Sequence, residues 1–164
     1  ANIFTYQYNS KKDVYKKIAS YNKILNSRNI NVSIIKDYDS KVIVYVYNKK
    51  RLEEYIFDDE IFDFLEDYGY KDKNLYKCIK LLKERMQYNK DFPHEIGLFL
   101  GYPVDDVTGF IQNKGRNYLL CGYWKVYSDE NRARRIFSNY DKCRNYLCNK
   151  LAQGESIYQA RKIS

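Results

Sequence analysis

The chain has 164 residues, 45% of them apolar, and a formal net charge of +8 at neutral pH. That length suits a single domain able to bury its own core, and the apolar content excludes a disordered chain. No apolar run approaches the roughly 18 residues that span a bilayer, and Lys11 and Lys12 open an amphipathic segment rather than a secretory signal.

Asn2 to Tyr8 alternates apolar and polar residues and predicts a short strand. Ser10 and Asp13 form a capping box, and Val14, Ile18, Tyr21, Ile24 and Leu25 recur at helical spacing to about Asn26. Two β-rich runs follow, 31–36 and 41–47, with Asp37-Tyr38-Asp39-Ser40 as the turn of a hairpin. In the second run Val42, Val44 and Val46 face one way and Ile43, Tyr45 and Tyr47 the other, so both faces are apolar and the strand is expected to be central.

Helices come next. Asn48 caps one from Lys49 to Phe57; Ile61, Phe62, Leu65 and Tyr68 mark a second that stops at Gly69. Asn74 caps a third with the stripe Leu75, Cys78, Ile79, Leu82 and Met86, which places Cys78 in the core. Phe92 to Tyr127 holds five of the seven glycines, both prolines, the single histidine and the single tryptophan. Pro93 starts a short helix that Gly101 stops; Pro103 starts another, with Asp105 and Asp106 at its positive end. Asn113-Lys114-Gly115 reads as a turn before a long strand, Asn117 to Tyr127. Ser128, with Asp129 and Glu130, caps a final helix whose inward stripe is Ala133, Ile136, Phe137, Tyr140, Leu147 and Leu151, ended by Gly154. The pattern is α+β, one domain over 1–164: a small antiparallel or mixed sheet of about three or four strands packed by several helices, the last one long.

Charge is uneven. From Glu53 to Asp67 there are eight acids and no base, whereas from Phe110 onward there are eleven bases against four acids. Arg116, Lys125, Arg132, Arg134 and Arg135 are therefore candidates for binding nucleic acid or an acidic partner, with Tyr118, Tyr123, Trp124 and Tyr127 as a stacking platform. A helix-turn-helix reading of 94–111 is opposed by Asp105 and Asp106, which would repel phosphates. The tyrosine-rich faces offer a third reading, self-assembly.

Candidate chemistry centres on His94, Glu95 and Cys121. A lone histidine cannot build a metal site, and no HExxH pattern occurs, so no metal is expected. His94 is the single imidazole available to activate a thiol, and Asp91, Glu95, Asp105 and Cys121 are the residues that would converge on it. Cys121 precedes Gly122 in the long strand, where a glycine admits close approach of a backbone or ligand. A buried, inert thiol is the structural expectation for Cys121. The four cysteines are too few and too scattered for a disulfide scaffold.

The segment PHEIGLFLGYPVDDVTGFI, continued by GRNYLLCGYWKVY and preceded by RLEEYIFDDEIFDFLEDYGY, resembles an uncharacterised bacterial family of domains of unknown function, DUF3793-like, found mainly in anaerobic Firmicutes. The resemblance covers nearly the whole chain and implies no particular activity or cofactor. It implies a cytoplasmic location, and the gene neighbourhood of such families implies a redox partner protein such as a flavodoxin. It also implies a short segment with a Cys-Ala-Pro-Thr-Leu-Ala-Gly-Ile-Lys-like motif ahead of Ala1. The functional expectation is a small-ligand-binding or redox-linked protein with its site at His94, Glu95 and Cys121.

Overall fold

The computed structural model describes residues 1–88 and 92–155. The architecture is α+β, with a three-stranded antiparallel sheet, a two-stranded one and seven α-helices among the described residues. The chain divides into two compact units, Ala1–Val107 and Thr108–Ser164.

In the first unit β1 (Asn2–Gln7), β2 (Ile30–Tyr38) and β3 (Lys41–Asn48) lie in the order β1-β3-β2, so β3 is the central strand, as its two apolar faces predict. The hairpin from β2 to β3 turns on Asp39 and Ser40 alone, both left-handed (φ 44° and 62°). Sequence placed the turn over 37–40. The strands instead run on to Tyr38 and Lys41, because two consecutive positive-φ residues make the tight turn whose twist matches the flanking strands. A bulge between Ile34 and Lys36 shifts the register, which leaves Asn31 opposite Tyr47 and Ser33 opposite Tyr45.

Helix α1 (Lys11–Leu25) begins at Ser10, whose Oγ accepts from the Asp13 N–H. It lays Val14 and Ile18 on the valine face of the sheet, against Val42, Val44, Val32 and Val46. Asn22 of α1 then meets the open edge of β2. Its carboxamide donates to the Val32 carbonyl and accepts from the Val32 N–H, both at 2.8 Å. One side chain thus makes the pair of bonds a neighbouring strand would make, and it blunts an edge that would otherwise recruit another strand.

The other face of β3 is covered by the helical layer. Helix α2 (Lys49–Ile56) starts at the Asn48 cap, α3 (Asp59–Glu66) follows, and α4 (Leu75–Tyr88) is capped by Asn74 through the Lys77 N–H at 3.1 Å. The α4 stripe of Leu75, Cys78, Ile79, Leu82 and Met86 is buried as its spacing predicts. Short α5 (Ile96–Leu100) ends at Gly101, left-handed at φ 86°. Tyr45 of β3 reaches across this layer and donates its hydroxyl to the Phe99 carbonyl at 2.5 Å, which locks sheet to helix. Helix α6 (Val104–Gln112) carries the chain into the second unit.

The second unit departs from expectation. Residues 117–127 are not one long strand: β4 (Leu120–Cys121) and β5 (Lys125–Val126) pair antiparallel through a turn at Gly122-Tyr123-Trp124. The cause is the partner helix. In α7 (Glu130–Ala152) Phe137 lies so close that a Cβ on Gly122 would come within 2.3 Å of its ring, and Trp124 meets the same ring edge-on at 4.5 Å. Folding back brings Trp124 onto Phe137, burying both, where a straight strand would carry it past. The cap of α7 is Asp129, accepting from the Arg132 N–H at 2.8 Å, and not Ser128. Ala133 and Phe137 are buried, but Tyr140, Leu147 and Leu151 of the expected stripe are exposed.

Replacing Gly122 by alanine is expected to lower stability by about 1–3 kcal/mol through overpacking. Urea unfolding of Gly122→Ala, alone and with Phe137→Leu, checks this: the smaller side chain should recover part of the loss.

Candidate functional site

His94 and Glu95 are neighbours in a turn before α5, and they point opposite ways. His94 is exposed; Glu95 is fully buried. The reason lies in α4. Arg85 there donates its Nε to Glu95 Oε1, and the Tyr70 hydroxyl lies 3.4 Å from the same oxygen. The Arg85 guanidinium also stacks over the Tyr68 ring, 5.5 Å from its centroid. Burial first, and then the Glu95 charge, hold the phenols of Tyr70 and Tyr68 above their usual range. The other carboxylate oxygen, Oε2, is buried and accepts no hydrogen bond among the described residues. Glu95 is thus a buried anion matched to one arginine, a structural clamp between α4 and the start of α5. The sequence signal for it is one acid inside the run Glu95 to Phe99, which is otherwise apolar and needs a base from elsewhere.

Cys121 belongs to the second unit and His94 and Glu95 to the first. The thiol of Cys121 is exposed, not buried as expected, because the hairpin turns at Gly122 and leaves it on the rim opposite Lys125. Cys143 and Cys148 are exposed as well, and Cys78 is buried with its thiol pushed up by burial. Asp91 lies outside the described residues. Asp106, expected in the first turn of α6, lies there and is buried. Among the described residues no group of three or more His, Cys, Asp or Glu is placed to hold a metal.

The basic candidates of the second unit divide in two. Lys125 is committed inside the unit: its Nζ donates to the Gly115 carbonyl at 2.7 Å and sits over the rings of Tyr118 and Phe110. Arg134 pairs with Glu130 at 2.6 Å, one helical turn away. Arg116, Arg132 and Arg135 are exposed and form no ion pair among the described residues. The stacking platform is reduced, since Trp124 is buried and Tyr127 packs against Gly109; Tyr118 and Tyr123 remain exposed.

The feature that sequence reasoning missed is a groove of about 570 Å³ in the first unit, between the edge of β2 and helix α4. That volume is in the range of small-molecule sites. Asn31, Ser33 and Tyr47 form its floor, Leu75 and Ile79 its apolar wall, and Lys49, Lys80 and Lys83 bring three cations against one acid, Glu53. Burial, followed by the Glu53 charge, raises the Tyr47 phenol, so it stays protonated and a donor. Burial lowers the ammonium of Lys83.

Helix α4 explains why Lys83 differs from its neighbours. Its lysines recur every third residue, at 77, 80 and 83. Lys77 pairs with Asp72 at 3.0 Å, and Lys80 approaches Glu84 at 3.9 Å. Lys83 borders the buried stripe, one turn after Ile79, and has no carboxylate within ion-pair distance among the described residues. The signal was present in the sequence as a lysine without an acid at helical spacing, but only the fold shows that it lines a groove.

A family model described as "Protein of unknown function (DUF3793)" matches residues 1–160. None of the curated proteins and none of the solved structures matches the chain. No helix among the described residues is long and apolar enough to cross a membrane.

Removing Arg85 leaves Glu95 as an uncompensated buried charge, a change that typically destabilises by about 3–5 kcal/mol. Arg85→Met is expected to show a loss of that order in urea unfolding. Adding Glu95→Gln should restore much of it; an additive double variant would mean the two side chains act independently.

Proposed function

We propose that this chain, which belongs to the DUF3793 family, binds a small anionic molecule in the groove beside β2. The observation that carries the reading is Lys83, a half-buried lysine on the groove wall with no carboxylate partner among the described residues. A cation withdrawn from water has lost hydration, and an anion seated beside it restores the lost interaction. Lys49 and Lys80 add positive charge at the rim, and Asn31, Ser33 and Tyr47 supply neutral donors and acceptors to orient a ligand. Asn22 is not among these, because both ends of its carboxamide are committed to Val32. That commitment favours a small molecule over an extended peptide, since a strand added at β2 would have to displace Asn22. The small-ligand reading is thus kept, with Lys83 rather than His94 as the residue that supports it.

Calorimetric titration with phosphate, pyrophosphate and citrate tests the reading. At least one should bind the wild type, and Lys83→Met should weaken it by about tenfold or more, the equivalent of one charge-assisted hydrogen bond. Lys77→Met, the same change at an exposed lysine of the same helix that does not line the groove, should leave binding intact. Equal affinity in the wild type and Lys83→Met, or no binding of any anion, would discard the proposal.

A second reading rests on Arg116, Arg132 and Arg135, exposed and free of ion pairs among the described residues: the second unit binds single-stranded nucleic acid. Three phosphate contacts give a log K against log salt slope of roughly −2 for a single strand. Filter binding of an oligonucleotide at several salt concentrations measures it. A flat salt dependence, or no retention, rules this reading out.

A further inference from the structure

Among the lysines of the groove, Lys83 differs in environment from Lys49 and Lys80. Lys49 and Lys80 are exposed, whereas Lys83 is half-buried in a groove that Leu75 and Ile79 also line. An exposed ammonium is a charge and little else, because at neutral pH almost none of it is free amine. A lysine moved out of water and left without a carboxylate acquires a second property: its neutral, nucleophilic form becomes accessible. Lys83 meets both conditions, and it opens onto a cavity large enough for a reactant.

We propose that Lys83 forms an imine with a small carbonyl compound that bears an anionic group, held in the groove beside β2. The inference rests on the anion-binding reading of the groove and adds the covalent chemistry. In the step, the lone pair of the neutral Lys83 Nζ adds to the carbonyl carbon, Nζ gives up one of its two protons and the carbonyl oxygen takes one up, giving a carbinolamine. That hydroxyl then takes up a second proton and leaves as water as the C–O bond breaks, a C=N bond to Nζ forms, and Nζ gives up its second proton. One water is released per imine, and nothing is oxidised or reduced. Lys49 and Lys80 supply positive charge for the carboxylate or phosphate of the ligand. The Tyr47 phenol remains protonated within the same groove and provides a proton donor for the departing oxygen.

The depression of the Lys83 ammonium by burial agrees with this role, because it raises the free-amine fraction at neutral pH. The charged and titratable groups that share the groove are Lys49 and Glu53 from α2, Tyr47 from β3, and Tyr76 and Lys80 from α4.

The test is reductive trapping on the full chain at neutral pH. Glyoxylate, glycolaldehyde phosphate and propanal are each supplied with cyanoborohydride, which fixes an imine as a stable secondary amine. Intact mass and peptide mapping then locate the adduct. The expected result is one adduct, on Lys83, formed ahead of any on the exposed lysines. It should form faster with glyoxylate or glycolaldehyde phosphate than with uncharged propanal, and the faster of the two anions identifies the anionic group. Lys83→Arg keeps the charge and removes the nucleophile, so it should lose the adduct, whereas Lys77→Met, outside the groove, should keep both the adduct and phosphate or citrate binding. Labelling spread evenly over Lys49, Lys80 and Lys83, with anion binding intact, overturns the imine and leaves the groove as a simple anion site. Absence of anion binding in the wild type overturns the reading of the groove itself.

Discussion

Two-sided burial of β3 is the constraint from which the arrangement of the first unit follows. Val42 and Val44 are buried on one face and Ile43 and Tyr45 on the other, so the strand requires a layer above and a layer below. Helix α1 supplies one layer, and the helices from α2 to α5 supply the other. With β3 central in a sheet of three, β1 and β2 are both edges. The edge of β2 is closed from one side by the Asn22 carboxamide and approached from the other by α4. What remains between them is the groove. Its position follows from a short sheet sandwiched by helices.

Two buried or half-buried charges in this unit are treated in different ways. Glu95 is removed from water entirely and receives Arg85, with Tyr70 nearby; without that base its burial would be prohibitive. Lys83 is withdrawn only partly and receives no carboxylate among the described residues. Partial burial of an amine is tolerable because it can shed its proton, which a buried arginine cannot do. A structural role is complete for the Glu95 clamp. For Lys83 it is incomplete, since neither Leu75 nor Ile79 gives the ammonium anything to bond.

Much of the fold was legible because its elements carry local signals. Ser10, Asn48 and Asn74 cap the helices their positions predict, Gly69 and Gly101 stop them, and the alternating valines of β3 declare a two-faced strand. The misreadings share one physical cause. Residues 117–127 alternate like a strand, yet the turn at Gly122 is imposed by Phe137, a residue fifteen positions later on another element. Tyr140, Leu147 and Leu151 have helical spacing, but spacing cannot say whether anything covers them. His94 and Glu95 looked like a pair because they are adjacent. In a turn, adjacency sends consecutive side chains in different directions, and the partner of Glu95 comes from α4.

The two units also separate the functional readings by chemistry rather than by degree. In the second unit the cations that could have formed a continuous basic surface are partly spent, Lys125 on a carbonyl and two rings and Arg134 on Glu130. Arg116, Arg132 and Arg135 are exposed and form no ion pair among the described residues, and contacts to phosphate alone carry no sequence information. In the groove of the first unit the charge is smaller, yet it is set among an apolar wall, neutral hydrogen-bonding groups and a phenol that stays protonated. Selectivity needs such mixed surroundings, since a ligand must match charge, shape and donor pattern together. For the proposed anion site, the excess of bases beyond Phe110, which dominates the sequence, therefore counts for less than one lysine of α4.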